Sequence, residues 1–331
     1  MSIQDMIDAL NESGSAKVTF LSDDDSPCII HEVMSTGCLA LDSILGGGLP
    51  VGRITEIYGD ESTGKSLIAA HVAAEAQAKG HTVLYVDTES AVSIDVMKQL
   101  GVNVDTILYA VPDTLDGDDG VFQLIENAII VKQETNPDGL LFVVWDSIAA
   151  TSAKKEIENE YGKATYGRHA LLISQGLRKL DKLISKDRVC ALFLNQTRQR
   201  LDVMYGDKTA TFGGKAVAFY SSIRVQLKHA KKIKEGKKII GEDIIASVVK
   251  NKVAMPFRRA TLPVYFGYGI DDAGAALLYL KDTDYMDVKS GGNYGLHISI
   301  GEVKFKKLTW DDVFDRYYDE IAQMILDDEI T

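Results

Sequence analysis

The chain has 331 residues, 46% of them hydrophobic and 25% charged, with a formal net charge of −12. That length holds one large domain with smaller appendages, and the composition is that of a globular protein. The acidic total argues against a surface broadly basic for nucleic acid, but the charge is uneven: Asp23–Asp25 and the stretch from Asp311 onward are acidic, whereas Lys228–Lys238 carries six lysines and one acid.

The N-terminus lacks a charged-then-apolar leader, and no apolar run approaches the ~20 residues a bilayer span needs. A soluble, cytoplasmic protein with no membrane partner is expected. Cys28, Cys38 and Cys190 are odd in number and far apart. They suit neither a disulfide framework nor a metal site and read as buried or incidental thiols.

Residues 2–11 predict a short amphipathic helix with Ile3, Met6, Ile7 and Leu10 on one face. A short strand is expected over Lys17–Leu21, a loop over Ser22–Pro27, and a break at Gly46–Pro50. From about residue 52 strands and helices alternate: strand Arg53–Tyr58, helix Lys65–Lys79, strand Thr82–Asp87, helix Ile94–Leu100, helix Phe122–Gln133, strand Leu140–Trp145, helix Tyr166–Ile184, strand Val189–Leu194. Unbroken apolar strands between helices predict an α/β fold with a mostly parallel sheet covered on both faces. Ser222–Lys228, Asp243–Lys250 and Ala260–Val264 read as an antiparallel extension, with Gly236 at a lysine-rich hairpin tip. Beyond about 270 the pattern weakens into a small C-terminal region whose acidic end, Leu308–Thr331, is expected to repel phosphates.

Gly59-Asp60-Glu61-Ser62-Thr63-Gly64-Lys65-Ser66 matches G-x-x-x-x-G-K-[ST]. It follows a strand and opens a helix, the context in which such a loop wraps a phosphate chain with its N–H groups. Lys65 then reaches the β- and γ-phosphates and the Ser66 hydroxyl ligates Mg²⁺, so ATP and Mg²⁺ are the expected cofactors. Asp146 ends an apolar strand at the sheet edge where nucleotides bind, and is placed to hold Mg²⁺ directly or through water. Glu89, just past another strand, is either a base that orients the attacking water or a helix-capping acid. At the end of Val189–Leu194, Asn195-Gln196 offers an amide that can sense the γ-phosphate.

These segments together resemble the bacterial RecA recombinases. The resemblance is carried by Gly52–Gly59, Val144–Ala150, Phe193–Arg198, Val203–Gly206, Gly213-Gly214 with Phe219-Tyr220, and Val249–Lys252 followed by Pro256-Phe257, in matching order and spacing from about Ser35 to Gly269. The short N-terminus and divergent C-terminus look more like a phage-encoded, UvsX-like member. The resemblance implies a RecA-like ATPase core at 35–269, an N-terminal protomer-contact arm at 1–34 and a small C-terminal region at 270–331. It implies that Glu89 is the catalytic glutamate, that Gln196 is the γ-phosphate switch, and that Lys250 and Lys252 reach the ATP of a neighbouring protomer. Phe266 falls among its nucleotide-binding positions. Two loops, about 156–167 and 197–214, would bind DNA. Arg198 and Arg200 would meet phosphates, Leu201 and Tyr166 would wedge or stack between bases, and Gly213 and Gly214 would let backbone approach a phosphate. Ser174 and Arg178 match backbone contacts, with Arg168 one turn from a family arginine that is Leu171 here. Each of these DNA positions also reads, on its own, as a solvated residue.

Departures are equally specific. Val96 and Ser93 stand where relatives carry an adenine-stacking Tyr and an Asp; Ala218 replaces an interface Lys, and Ser90 the residue usual after the catalytic Glu. The expected function is a DNA-dependent ATPase that forms helical filaments on single-stranded DNA and exchanges strands with homologous double-stranded DNA. The competing readings are a ring-forming helicase or regulatory ATPase on the same core, and a filament-forming DNA binder without hydrolysis.

Overall fold

The computed structural model describes residues 2–14, 18–23, 29–152, 168–199, 209–289, 293–299 and 301–328. The predicted alternation is present. The central sheet has the order β12-β11-β10-β9-β3-β7-β6-β4-β5, with β8 paired to β7. Its parallel half comprises β3 (Arg53–Gly59), β4 (Thr82–Asp87), β5 (Leu108–Ala110), β6 (Leu141–Asp146), β7 (Val189–Gln199) and β9 (Ile223–Glu235). β10 (Lys238–Asn251), β11 (Arg259–Tyr265) and β12 (Gly269–Ile270) continue it antiparallel. The sequence of β6 has no polar residue before its final Asp146, and all six residues are buried. That is the signature of a strand covered on both faces.

One face is covered by α2 (Leu39–Leu45) and the alanine-rich α3 (Lys65–Ala78), the other by α5 (Val121–Thr135) and α6 (Arg168–Ile184). Helix α4 (Ile94–Gln99) follows β4, and α7 (Gly214–Tyr220) packs on α6. β8 (Thr209–Thr211) pairs antiparallel with the end of β7, so residues 197–199 and 209–211 form a ribbon at the two flanks of the second expected DNA loop. The strands β1 (Val33–Met34) and β2 (Leu49–Pro50) pair separately, which puts order into the glycine-rich stretch expected only to break structure.

One expectation changes. Over the described part of Lys17–Leu21 there is no strand. Asn11 instead holds Val18, its Nδ2 donating to the Val18 carbonyl at 2.9 Å and its Oδ1 accepting the Val18 N–H at 2.7 Å. Local side-chain bonding of this kind competes with ladder formation. Helix α1 (Ile3–Glu12) is capped by Ser2 and is amphipathic as expected, yet none of its residues is buried.

The C-terminal acids belong to a folded unit. Helices α9 (Trp310–Arg316) and α10 (Tyr318–Asp327) close a separate core with α8 (Asp272–Leu280) and the meander β13 (Met286–Lys289), β14 (Asn293–Ile298), β15 (Gly301–Lys306). Trp310, Phe314, Ile321 and Ile325 are buried in it, while Asp311, Asp312, Asp315 and Asp319 face solvent. The pattern is helical amphipathicity with acids on the outer face. This unit is fastened to α2: Ser43 Oγ donates to the Ile325 carbonyl at 2.8 Å, Arg258 Nη1 donates to the Ser43 carbonyl at 2.9 Å, and Tyr279 OH donates to Asp328 at 2.7 Å.

Candidate nucleotide and DNA-facing site

The phosphate loop joins β3 to α3 at the carboxyl edge of the sheet, where ligands bind in open α/β folds. Gly64 has φ 80° and Ser62 φ 59°. At Gly64 a side chain would meet Ile244 Cδ1 at 2.8 Å, and at Gly59 the Leu227 carbonyl oxygen at 2.6 Å, so the loop requires glycine twice over. Lys65 is almost fully buried and its Nζ donates to the carbonyls of Gly59 (3.2 Å) and Asp60 (2.7 Å). Burial lowers its pKa, against the opposing field of Asp146, Glu89, Asp60 and Glu61. Asp60, Glu61 and Ser62 are exposed at the loop tip, and the Thr197 hydroxyl donates to Asp60.

A cavity of about 470 Å³ opens on this loop and is lined by Glu61–Leu67, Glu89, Asp146 and Gln196. The fold thus brings together the loop and the three strand-end residues singled out in the sequence. β6 carries Asp146, which is largely buried and accepts from Tyr85 OH at 2.8 Å. Burial raises its carboxyl above the usual range, with hydrogen bonds from Ser66 and Tyr85 opposing.

Glu89 lies past the end of β4. Its Oε1 accepts from Ser147 Oγ at 2.6 Å and from Gln196 Nε2 at 3.0 Å. Asp87, at the end of β4, gathers the loop that follows: its carboxylate accepts the N–H groups of Glu89, Ala91 and Val92 and the hydroxyl of Tyr109. Asp87 shapes the loop that presents Glu89. Sequence reasoning passed over Asp87, Ser147, Tyr85 and Thr197; Asp87 and Ser147 stand beside residues that it did select.

A second cavity, about 220 Å³, adjoins the first through Ser66, Glu89 and Asp146 and is lined further by Leu67, Val96 and Met97. Ser93 caps α4, accepting the Val96 N–H at 3.5 Å. Phe266, in the turn between β11 and β12, is exposed and lines neither cavity.

Lys250 and Lys252 also lie apart from their own chain's phosphate cavity. Lys250 Nζ donates to the carbonyls of Ala218 (2.6 Å), Phe219 (3.1 Å) and Ser221 (2.6 Å), closing the C-terminal end of α7, where a cation is favoured. Burial, then Lys252 and Arg224, push its pKa down to about 8. Lys252 Nζ lies 5.8 Å from the centre of the exposed Phe219 ring.

Of the expected DNA contacts, Tyr166, Arg200 and Leu201 lie outside the described residues, as do 156–167 and the side chain of Arg168. Those described lie on α6, at the start of α7 and at the end of β7. Gly213 and Gly214, with φ 80° and 66°, pack the start of α7 against Ile173 and Ala170 of α6. Ser174 is half-buried on the same helix, and exposed Arg178 donates from Nε to Tyr220 OH at 3.4 Å. Arg198 stands 5.3 Å over the Phe212 ring. The 228–238 lysines run along β9 and β10. Lys231, Lys232 and Lys234 line, with Lys281 and Lys307, a cavity of about 740 Å³ distinct from the nucleotide residues.

A family model described as the RecA N-terminal domain matches residues 3–271. Protein RecA of Levilactobacillus brevis is 43% identical over 264 residues, covering 80% of this chain and 67% of that protein. The Lactiplantibacillus pentosus protein is likewise 43% identical, over 262 residues, with 79% and 67% covered. Protein RecA of Lactobacillus acidophilus is 38% identical over 294 residues, 87% of this chain and 78% of that one. With the loop, the strand-end carboxylates and the Gln196 amide assembled on one sheet edge, this chain belongs to the RecA family of homologous recombinases, whose members are DNA-dependent ATPases of strand exchange and repair.

Proposed function

We propose that the chain polymerises on single-stranded DNA with ATP between successive protomers, and that hydrolysis resets the filament after pairing with a homologous duplex. The observation that carries this reading is Gln196. Its amide donates to Glu89 on the nucleotide side, and its strand runs directly into the ribbon that flanks the second DNA segment. A γ-phosphate in the cavity offers Gln196 Nε2 a stronger, charged acceptor than Glu89. Transfer of that hydrogen bond shifts the end of β7 and frees Glu89 to orient water.

Lys65 serves as the cis cation for the β- and γ-phosphates. Ser66 and Asp146 fit Mg²⁺: the Ser66 hydroxyl hydrogen-bonds to the Asp146 carboxyl, and one carboxylate plus one hydroxyl suits an ion that takes its other ligands from phosphates and water. When bound, Mg²⁺ supplies charge neutralisation between phosphates. The burial that raises the Asp146 carboxyl is relieved by a cation at that position.

Lys250 and Lys252, remote from their own loop, are the cations offered to the neighbour's ATP. Their presence at the developing γ-phosphate charge stabilises the transition state. The smaller cavity beside Val96 takes the apolar part of the nucleotide, with Val96 in place of an aromatic stack. Phe266 is an exposed ring that meets nucleotide across the joint. The unburied apolar face of α1, within the arm at 1–34, docks on an adjacent protomer. Ser174 and Arg178 on α6, Gly213 and Gly214 at the start of α7, and Arg198 on β7 meet the DNA backbone; the family resemblance adds Tyr166, Arg168, Arg200 and Leu201 as further DNA contacts. No described helix is long and apolar enough to cross a membrane, in keeping with work on cytoplasmic DNA.

Strand exchange by the purified protein tests the proposal. Joint molecules between a single strand and a homologous duplex are expected with ATP and Mg²⁺, and their absence overturns it. Electron microscopy on single-stranded DNA should show helical filaments; closed rings would favour a helicase-type ATPase.

A further inference from the structure

Beneath the phosphate site lies a polar cluster that the hydrolysis chemistry does not use. Glu56 on β3 and Asn195 on β7 are both fully buried. A carboxylate wholly removed from water persists only where its charge and lone pairs are matched. Here Glu56 Oε2 pairs with the Nε of Arg224 on β9, and Oε1 accepts Asn195 Nδ2 at 2.9 Å. The same amide nitrogen donates to the Phe212 carbonyl at 3.0 Å, and Asn195 Oδ1 accepts the Gln196 N–H at 2.9 Å. Arg224 lies 4.7 Å over the Tyr58 ring and donates from Nη2 to the Thr211 hydroxyl at 3.4 Å.

The cluster therefore holds both flanks of the second DNA segment, Gln196 on the near side and Thr211 and Phe212 on the far side. It also continues sideways. Arg224 is the register partner of Glu56 across β3–β9 and of Lys250 across β9–β10. Arg224 and Glu56 act in opposite senses on the Lys250 ammonium. One unbroken set of hydrogen bonds and neighbouring charges thus crosses four adjacent strands. It runs from the residue beside the γ-phosphate sensor to the cation at the C-terminal end of α7.

We propose that Glu56, Asn195 and Arg224 are positioning residues that couple a protomer's own nucleotide site and second DNA segment to Lys250, and through it to the ATP of the next protomer. The inference rests on the reading of Lys250 as a cation for a neighbouring nucleotide. Movement of the ribbon when DNA engages draws on Asn195 and Thr211. Glu56 and Arg224 then re-aim Lys250 without themselves touching ATP. Packed networks with discrete hydrogen-bond partners transmit such changes because their alternatives are few.

The test uses full-length Glu56→Gln, isosteric but uncharged, and the double variant Glu56→Gln/Arg224→Gln, which removes both buried charges together. Hydrolysis is measured against ATP concentration with and without single-stranded DNA, alongside thermal melting. In Glu56→Gln the DNA stimulation of hydrolysis should fall by about fivefold or more, the low end of ordinary coupling factors. If Lys250 couples successive sites, wild-type hydrolysis rises sigmoidally with ATP; the variant should instead respond hyperbolically, while its hydrolysis without DNA stays within about twofold. Glu56→Gln alone strands a buried guanidinium and is the variant at risk of not folding. The double variant should regain the wild-type melting temperature, because an ion pair removed as a unit leaves no orphan charge. Its DNA stimulation should stay low. Full recovery of both melting and DNA stimulation in the double variant would show a purely structural pair and overturn the proposal. Lys250→Ala separates the two levels. If it hydrolyses ATP normally, the trans reading itself fails. If it is defective while a folded Glu56→Gln remains fully stimulated and sigmoidal, the coupling alone fails.

Discussion

Removing Leu308–Thr331 should dismantle the C-terminal unit rather than merely strip acidic charge. Trp310, Phe314, Ile321 and Ile325 are all buried in that unit. At about 1.5–3 kcal/mol per buried side chain, their loss withdraws roughly 6–12 kcal/mol of apolar burial, as large as the whole stability of an ordinary domain, about 5–15 kcal/mol. The cut also removes the donor to the Ala273 carbonyl, Trp310 Nε1 at 2.6 Å, and the Ile325 carbonyl that satisfies Ser43 Oγ. Leu296, Phe305 and Leu280 would be left facing water. Limited proteolysis with fragment mapping is the assay: the shortened chain should be cleaved rapidly between residues 281 and 307, and should bind a hydrophobic dye that the intact chain does not. Protection of that stretch equal to the full chain's would refute the reasoning. The charge effect is isolated instead by Asp311→Asn/Asp312→Asn/Asp315→Asn, all on the exposed face. That variant should melt normally and bind single-stranded DNA more tightly at low salt, with the difference vanishing as salt screens it.

Lys65→Ala should abolish ATP-dependent tightening on single-stranded DNA; affinity with ATP equal to wild type would contradict its assigned role. Glu89→Gln should retain that tightening but hydrolyse about 100-fold more slowly or worse, the usual loss with a positioned base. Ser147→Ala, which only frees the Glu89 carboxylate from a 2.6 Å hydrogen bond, should slow turnover less than Glu89→Gln does; an equal loss would make Ser147 itself catalytic. Burial raises the carboxyls of Asp42 and Asp272 to about 7 and about 6. Because the folded chain holds protons that the unfolded chain has released above its ordinary carboxylate value of about 3.9, these two groups favour folding at low pH and cease to as pH climbs towards 7. Asp42→Asn should therefore flatten the fall in denaturant stability over that window, and an unchanged slope would remove Asp42 as its source.

The ATP edge was legible because its chemistry is written locally. A glycine-bounded loop between a strand and a helix, and carboxylates ending apolar strands, constrain position with only a few residues. The different surroundings of Asp87 and Glu89 were not legible locally, since the two acids stand only two residues apart. It took the three backbone N–H groups gathered by Asp87 and the Ser147 and Gln196 partners of Glu89 to divide their roles. The internal order of the acidic C-terminus was less legible, because the density of charge hides the apolar period. Trp310, Phe314, Ile321 and Ile325 recur at helical spacing within the acids, and burial of that stripe overrides the repulsion on the other face. The buried Glu56 was invisible for a different reason: nothing in Gly52–Gly59 says that its carboxylate is answered by Arg224, 168 residues away.

The attachment of α10 to α2 has a consequence for how the chain is made. Ser43 and its acceptor at Ile325 are 282 positions apart, so the hydroxyl of α2 waits for its acceptor until α10 has been synthesised. At about 5–20 residues per second that wait is roughly 14–56 seconds. Meanwhile Leu39 and the other apolar residues on that side of α2 lack the cover that α8 and α10 provide. Such long-range closure is slow and leaves apolar surface open to foreign contacts. The nascent chain is thus most exposed to chaperones and proteases at the patch around Ser43, and a pause in translation near residue 320 would lengthen that exposure without altering a single bond of the finished protein.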